Sequence, residues 1–191
     1  MESFIGTLNA IVWSNALIYL ALLSGLYYSF KTRFVQIRLF KEMIRLLFKG
    51  KSSEQGVSSF QAFAIAISGR VGTGNIAGVA TAIALGGPGA IFWMWVIAFV
   101  GAASAFIEAS LGQLYKEEQS GEYRGGPAYY IRNGLGIRWF SLLFAIITMI
   151  SMAFFLPGIQ SNSIAAGMQK AYGVEGIYTG AVIVVLSLIH I

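Results

Sequence analysis

Apolar runs long enough to cross a bilayer alternate along this chain with short basic stretches. Leu8 to Phe30 carries no charge and has Trp13 near one end and Tyr27 and Tyr28 near the other, aromatic anchors at two interfaces. Lys31 to Lys51 then sets Lys31, Arg33, Arg38, Lys41, Arg45, Lys49 and Lys51 against Glu42 alone. Within it Ile37, Phe40, Ile44 and Leu47 recur at helical spacing, with Arg38, Lys41, Arg45 and Lys49 on another face. The pattern predicts an interfacial helix over 31–51, held to the inner leaflet by anionic lipid. A calmodulin-type target has the same amphipathic pattern, and the membrane-surface assignment is the simpler one.

The stretch Ser59 to Trp95 departs from both patterns. Between Glu54 and Glu108 the only charge is Arg70, yet Gly69, Gly72, Gly74 and Gly78 cluster in the middle. At about 1.5 Å per residue, Phe60 to Arg70 gives roughly 16 Å and Ile76 to Leu85 roughly 15 Å. Together they reach across a hydrocarbon core of about 30 Å. Val71-Gly72-Thr73-Gly74-Asn75 between them tolerates non-helical backbone, so a span over 60–85 broken at the bilayer midplane is predicted. Unpaired backbone in lipid costs several kcal/mol per group, so the break must face a protected cavity. There the amides opening the second half-helix, near Gly74 to Ala77, suit a carboxylate. The last carbonyls of the first half, Ser68 to Val71, suit a small hard cation.

Gly86-Gly87-Pro88-Gly89 forms a sharp turn, and a third span over 90–115 returns, with Phe92, Trp93 and Trp95 at its outer end. Gly101, Ala105 and Ala109, four apart, predict a close approach by another helix. Lys116 to Arg138 is polar and glycine-rich, a loop with one short surface helix around Pro127 to Asn133. A fourth span covers 139–169, where Pro157 frees the Ala153 carbonyl and bends the helix. A fifth covers 177–191. The basic loops 31–51 and 116–138 lie inside by the positive-inside bias, which puts the amino terminus outside.

At 191 residues and 57% hydrophobic, with mean hydropathy +0.71, the chain carries more apolar surface than a water-soluble domain of this size hides. An all-α integral membrane protein of the plasma membrane is predicted. A cleaved leader is the competing assignment for the first run. No lysine or arginine precedes it, Glu2 does, and the run exceeds a usual signal core, so retention is expected. With no cysteine and His190 as the one histidine, neither a disulfide framework nor a thiolate metal site is available. The formal charge of +5 belongs to topology rather than to nucleic acid, because no stacking surface interleaves the basic residues. The last apolar segment stops just past His190 without a polar cap, which suggests the N-terminal part of a longer protein.

Gly86-Gly87-Pro88-Gly89-Ala90-Ile91-Phe92-Trp93-Met94-Trp95, continuing to Gly101, resembles the signature of the sodium:alanine (alanine or glycine:cation) symporter family. Ser68-Gly69-Arg70-Val71-Gly72-Thr73-Gly74-Asn75-Ile76-Ala77-Gly78 resembles that family's broken helix, and the likeness runs through the whole chain. The resemblance implies a leucine-transporter-type fold of two inverted five-helix repeats, of which this chain would hold the first, preceded by an extra helix. It implies symport of a small neutral amino acid, alanine or glycine, with sodium as a co-transported ion and no other cofactor. It also implies that Thr73, Gly74, Asn75 and Gln160 hold the amino acid. Ser68 and Val71 would offer carbonyls to sodium, and Asn75 its amide oxygen to a second ion.

Plainer roles exist for these residues. Gly69, Gly72, Gly74 and Gly78 can serve helix packing, Thr73 and Asn75 can bond a neighbouring helix, and Gln160 can cap backbone freed by Pro157. Arg70 can snorkel to the interface, or pair with Glu108 as a structural or inner-gate ion pair. Two other functions compete. Gly72-Thr-Gly74-Asn-Ile-Ala77 mimics a dinucleotide fingerprint, but no acidic residue follows before Glu108 to take a ribose, so an enzyme is not expected. A channel or an assembly subunit also uses broken helices, and saturable, sodium-dependent uptake separates a carrier from either.

Overall fold

The computed structural model describes residues 2–50 and 56–189. Lys51 and Glu54, and the last two residues of the expected fifth span, His190 and Ile191, lie outside them.

Helices dominate. α1 (Glu2–Val12) and α2 (Asn15–Lys31) follow one another with a short interruption at Trp13 and Ser14, and together form an apolar rod over Phe4–Lys31. Arg33 and Phe34 then take left-handed backbone angles, both with φ 54°. That kink turns the chain into α3 (Val35–Arg38) and α4 (Phe40–Lys49). α5 (Ser59–Ser68) starts at a reciprocal cap, Gln61 N–H donating to Ser58 Oγ at 3.2 Å and Ser58 N–H to Gln61 Oε1 at 2.9 Å. After a non-helical segment, α6 (Ala77–Gly86) ends at Gly87, whose φ of +71° suits a residue without a Cβ. α7 (Gly89–Leu114) is unbroken.

The polar stretch after α7 corrects the expectation of a purely helical chain with a plain loop here. β1 (Glu117–Gln119) and β2 (Glu122–Arg124) pair antiparallel. Ser120 and Gly121 at the tip both have positive φ, 55° and 80°, the conformation that matches strand twist in a two-residue hairpin. α8 (Pro127–Gly134) follows, starting at a proline that has no N–H to leave unpaired. α9 (Arg138–Ile150) leads through a π turn at Ser151–Phe155 into α10 (Leu156–Tyr172), and α11 (Gly176–Ile189) packs back on α10.

Three helical stretches are long and apolar enough to cross a membrane: Phe4–Lys31, Gly89–Leu114 and Arg138–Tyr172. α5, the segment Thr73–Gly86 and α11 are shorter and also apolar. The most extensive helix pairing is between α2 and α7. A Cβ on Gly25 would stand 2.6 Å from Val100 Cγ1, and Ala103 and Ser29 beside that contact are 0% and 1% exposed. The Gly101, Ala105, Ala109 stripe does not receive this helix. All three are exposed, because the close approach uses Gly25 on the incoming helix and turns a different face of α7 towards it. Most other large apolar side chains point outward, which suits helices solvated by hydrocarbon.

Candidate functional site

The helix interrupted by the glycine cluster is the centre of the site. α5 closes with Arg70 N–H and Val71 N–H both donating to the Ile67 carbonyl, at 2.9 and 3.0 Å. The chain then leaves the helix. Gly72 is extended, with φ −152° and ψ −172°, and Thr73–Asn75 make one 3₁₀ turn before α6. Two hydrogen bonds hold the turn shut. Asn75 N–H donates to the Gly72 carbonyl at 3.0 Å, and Gly72 N–H donates to Asn75 Oδ1 at 3.1 Å.

Two groups of backbone atoms are left over. Among the described residues, the amides of Thr73 and Gly74 and the carbonyls of Ser68, Gly69, Arg70 and Val71 have no hydrogen-bond partner. Donors and acceptors therefore gather on opposite sides of one short break, a positive end beside a negative one. The Ser68 hydroxyl is not part of this set, since it donates back to the Ile65 carbonyl at 2.9 Å.

Gln160 of α10 faces the break. A Cβ on Gly72 would lie 3.2 Å from Gln160 Nε2, so glycine at 72 is what lets the amide come this close. A cavity of about 260 Å³ is lined by Gly69 to Asn75, Leu156, Ile159 and Gln160. The structure thus brings Val71, Thr73, Gly74, Asn75 and Gln160 together. Ser68 stands just outside the lining. Asn75 has a task the sequence did not reveal, because one lone pair of its amide oxygen is used to close the turn on Gly72.

The orientation of Gln160 depends on the proline three residues earlier. Pro157 cannot donate to Ala153, and its ring would crowd that carbonyl in a regular helix. The helix widens instead: Leu156 N–H reaches the Ser151 carbonyl, five residues back. This π turn keeps α9 and α10 one continuous helix and sets the register of Leu156, Ile159 and Gln160.

Arg70 and Glu108 line a second cavity, of about 410 Å³, with Lys116, Tyr123, Arg124 and Tyr130 among its other walls. No ion pair joins Arg70 to Glu108. Among the described residues the charge pairs are Arg45 with Glu42, Arg124 with Glu122, and Arg132 with Glu117. The hairpin and α8, which supply one side of this cavity, are well braced from behind. Glu117 accepts from Arg132 Nη2 at 2.6 Å and Asn133 Nδ2 at 2.8 Å, which hold its carboxyl below the ordinary value. Ser141 Oγ donates to the Ala128 carbonyl at 2.7 Å and ties α8 to α9. Burial first, and the Glu108 carboxylate second, raise the Tyr130 phenol, so it stays protonated.

Comparison with known proteins gives the family. The sequence pattern of the sodium:alanine symporter family matches residues 1–191. The chain is 63% identical over 186 residues to YrbD of Bacillus subtilis strain 168, provisionally named a sodium/proton-dependent alanine carrier. That match covers 97% of this chain and 38% of the relative. It is 45% identical over 186 residues to GlnT of the same organism, provisionally named a sodium/glutamine symporter, covering 96% of this chain and 39% of the relative. It is 37% identical over 193 residues to the sodium/alanine symporter AgcS of Methanococcus maripaludis, covering 97% and 43%. The chain therefore spans about two fifths of the length of these relatives. A match over every residue, on a membrane-helical chain with a break facing Gln160, has one consequence for descent: this chain belongs to the sodium:alanine symporter family.

Proposed function

We propose that the chain supplies the cargo-binding half of a plasma-membrane carrier that moves a small neutral amino acid, alanine or glycine, together with sodium. The observation that carries this is the pairing of unsatisfied amides at Thr73 and Gly74 with unsatisfied carbonyls from Ser68 to Val71, on one break beneath Gln160. An amino acid brings a carboxylate that the amides suit, and sodium suits the carbonyls. Thr73, Gly74, Asn75 and Gln160 are assigned to the amino acid. Ser68 and Val71 are assigned to sodium through their carbonyls, with the free lone pair of Asn75 Oδ1 available to an ion. The proposed frame is the first of two inverted repeats, preceded by α1 and α2, with the amino terminus outside. The break rests on that frame, and release follows rocking of one bundle against another.

The test is radiolabelled alanine uptake by the full-length gene product in proteoliposomes. Saturable uptake that falls at least about tenfold when sodium is exchanged for choline is expected. Uptake indifferent to that exchange removes the sodium coupling. A proton ionophore added in the sodium arm decides between the two ions in YrbD's name. Competition by unlabelled glycine stronger than by glutamine is expected for a small-side-chain pocket, and the reverse order would align the chain with GlnT.

A further inference from the structure

Arg70 is the one residue that lines both cavities, the break cavity with Gln160 and the larger one with Glu108 and Tyr130. It stands at the point where α5 has ended and the chain turns into the break, so its backbone is fixed by the bond to Ile67 while its side chain is exposed. We propose that the Arg70 guanidinium is the partition between the cargo cavity and an inner vestibule, and that its swing onto Glu108 opens the way for cargo to leave. The assignment of cargo rests on the function proposed above. The partition itself does not.

The charges facing the vestibule support the swing. Lys116 is engaged with the Tyr123 ring, 4.3 Å from its centroid, and Arg124 reaches Glu122 at 3.7 Å. Arg70, Glu108 and Lys116 are the charged walls without an ion-pair partner within 4.0 Å among the described residues, and of the two cations Lys116 is the one already seated on an aromatic ring. A cation and an anion that share a cavity and do not touch have an alternative, paired arrangement within reach of a long side chain. The side formed by the hairpin and α8 offers no such freedom. A Cβ on Gly125 would lie 2.8 Å from the Gly112 carbonyl, and one on Gly134 would lie 3.1 Å from Tyr115 Cζ. The segment after β2 and the end of α8 are therefore pressed against α7 and its end, and Arg132 and Asn133 are pinned to Glu117. Motion belongs to the wall that is loose, which is the arginine. Tyr130, kept protonated, adds no second negative charge to compete with Glu108 for it.

Single cysteines test this directly, since the 191 residues contain none. Ala109→Cys reports the vestibule and Ile159→Cys the break cavity. Each is placed in the full-length gene product, with any other cysteine replaced by serine, and treated with a membrane-impermeant methanethiosulfonate from either side. Ala109→Cys should react from one side only, and Ile159→Cys from that side at least about tenfold more slowly. Adding Arg70→Ala should raise the Ile159→Cys rate to near that of Ala109→Cys, whose own rate stays constant and serves as the folding control. Adding Glu108→Gln, which removes the landing site, should slow Ile159→Cys at least threefold further. An Ile159→Cys rate unmoved by Arg70→Ala overturns the proposal. If Arg70→Ala fails the folding control, an Ile159→Cys rate unmoved by Glu108→Gln overturns it equally. Labelling requires no cargo, so loss of sodium-coupled uptake in the intact carrier would count against the proposed function and leave the partition standing.

Discussion

Two helices meet at the break cavity, and each is interrupted differently. Between α5 and α6 the backbone abandons helical geometry for several residues and leaves four carbonyls and two amides unpaired. Between α9 and α10 the same need, to accommodate residues that resist a regular helix, is met by one wide turn over Ser151–Phe155 with the rod kept continuous. The difference lies in what each sequence withholds. Gly72 and Gly74 withhold side chains, so the backbone itself lines the cavity. Pro157 withholds one N–H, so the loss is one hydrogen bond and the remedy is local. One interruption opens backbone to a cavity, and the other keeps its backbone paired and turns a side chain towards that cavity.

Breaking the closed turn should have the largest effect. Asn75→Ala removes the acceptor of Gly72 N–H together with one contact proposed for cargo or ion. Uptake, as kcat/KM for alanine, is expected to fall about a hundredfold, the value of two contacts at about 1.4 kcal/mol each. A fall under threefold would mean that the break keeps its shape without the Asn75 clasp. Pro157→Ala probes the other interruption. With an N–H restored at 157, the turn can tighten to regular helix, and one residue fewer in the π turn rotates Gln160 by about 100°. KM for alanine should rise about tenfold while kcat changes little. Unchanged kinetics would show that the wide turn is held by something besides the proline.

The smallest effect is expected away from both interruptions. Arg132, then Asn133, hold the Glu117 carboxyl below its ordinary value of 4.5. A depressed carboxylate stabilises the folded form above that ordinary value and loses the contribution as pH falls through the lower, folded one. Hydrogen exchange at the hairpin amides should therefore be flat from neutral pH to about 5, after correction for intrinsic rates, and protection should drop below 4.5. Glu117→Gln should show reduced protection throughout, without that acid step. An acid step surviving in the variant would place the titrating group elsewhere.

The break was legible because glycines at 69, 72, 74 and 78 crowd one apolar run, and a disturbance before Gln160 because proline has a fixed chemistry, although it takes the form of a wide turn in a continuous helix. Other features had no such signal. The hairpin's strands read Glu-Glu-Gln and Glu-Tyr-Arg, with no apolar alternation to mark them. Only Ser120-Gly121 hinted at a turn. The contact made by Gly25 was hidden because a lone glycine in a helix announces nothing until its neighbour is known, whereas the stripe at 101, 105 and 109 looked like an interface and is bare in this chain. Composition placed Arg70 and Glu108 in the same apolar region but could not say that they share a cavity without touching. That depends on where α7 runs relative to the end of α5, a tertiary fact.

The bare-backbone contact at Gly25 has a mechanical consequence. Ser29 lies under α7 and takes a hydrogen bond from Gln36 at 3.1 Å, and Val35 is closed in beside it at 3% exposure, so the first rod is bolted to α7 at several adjacent points. Whenever α7 tilts, that rod travels as its passenger. A fluorophore carried on the amino-terminal rod, far from the break, would then report each tilt of α7.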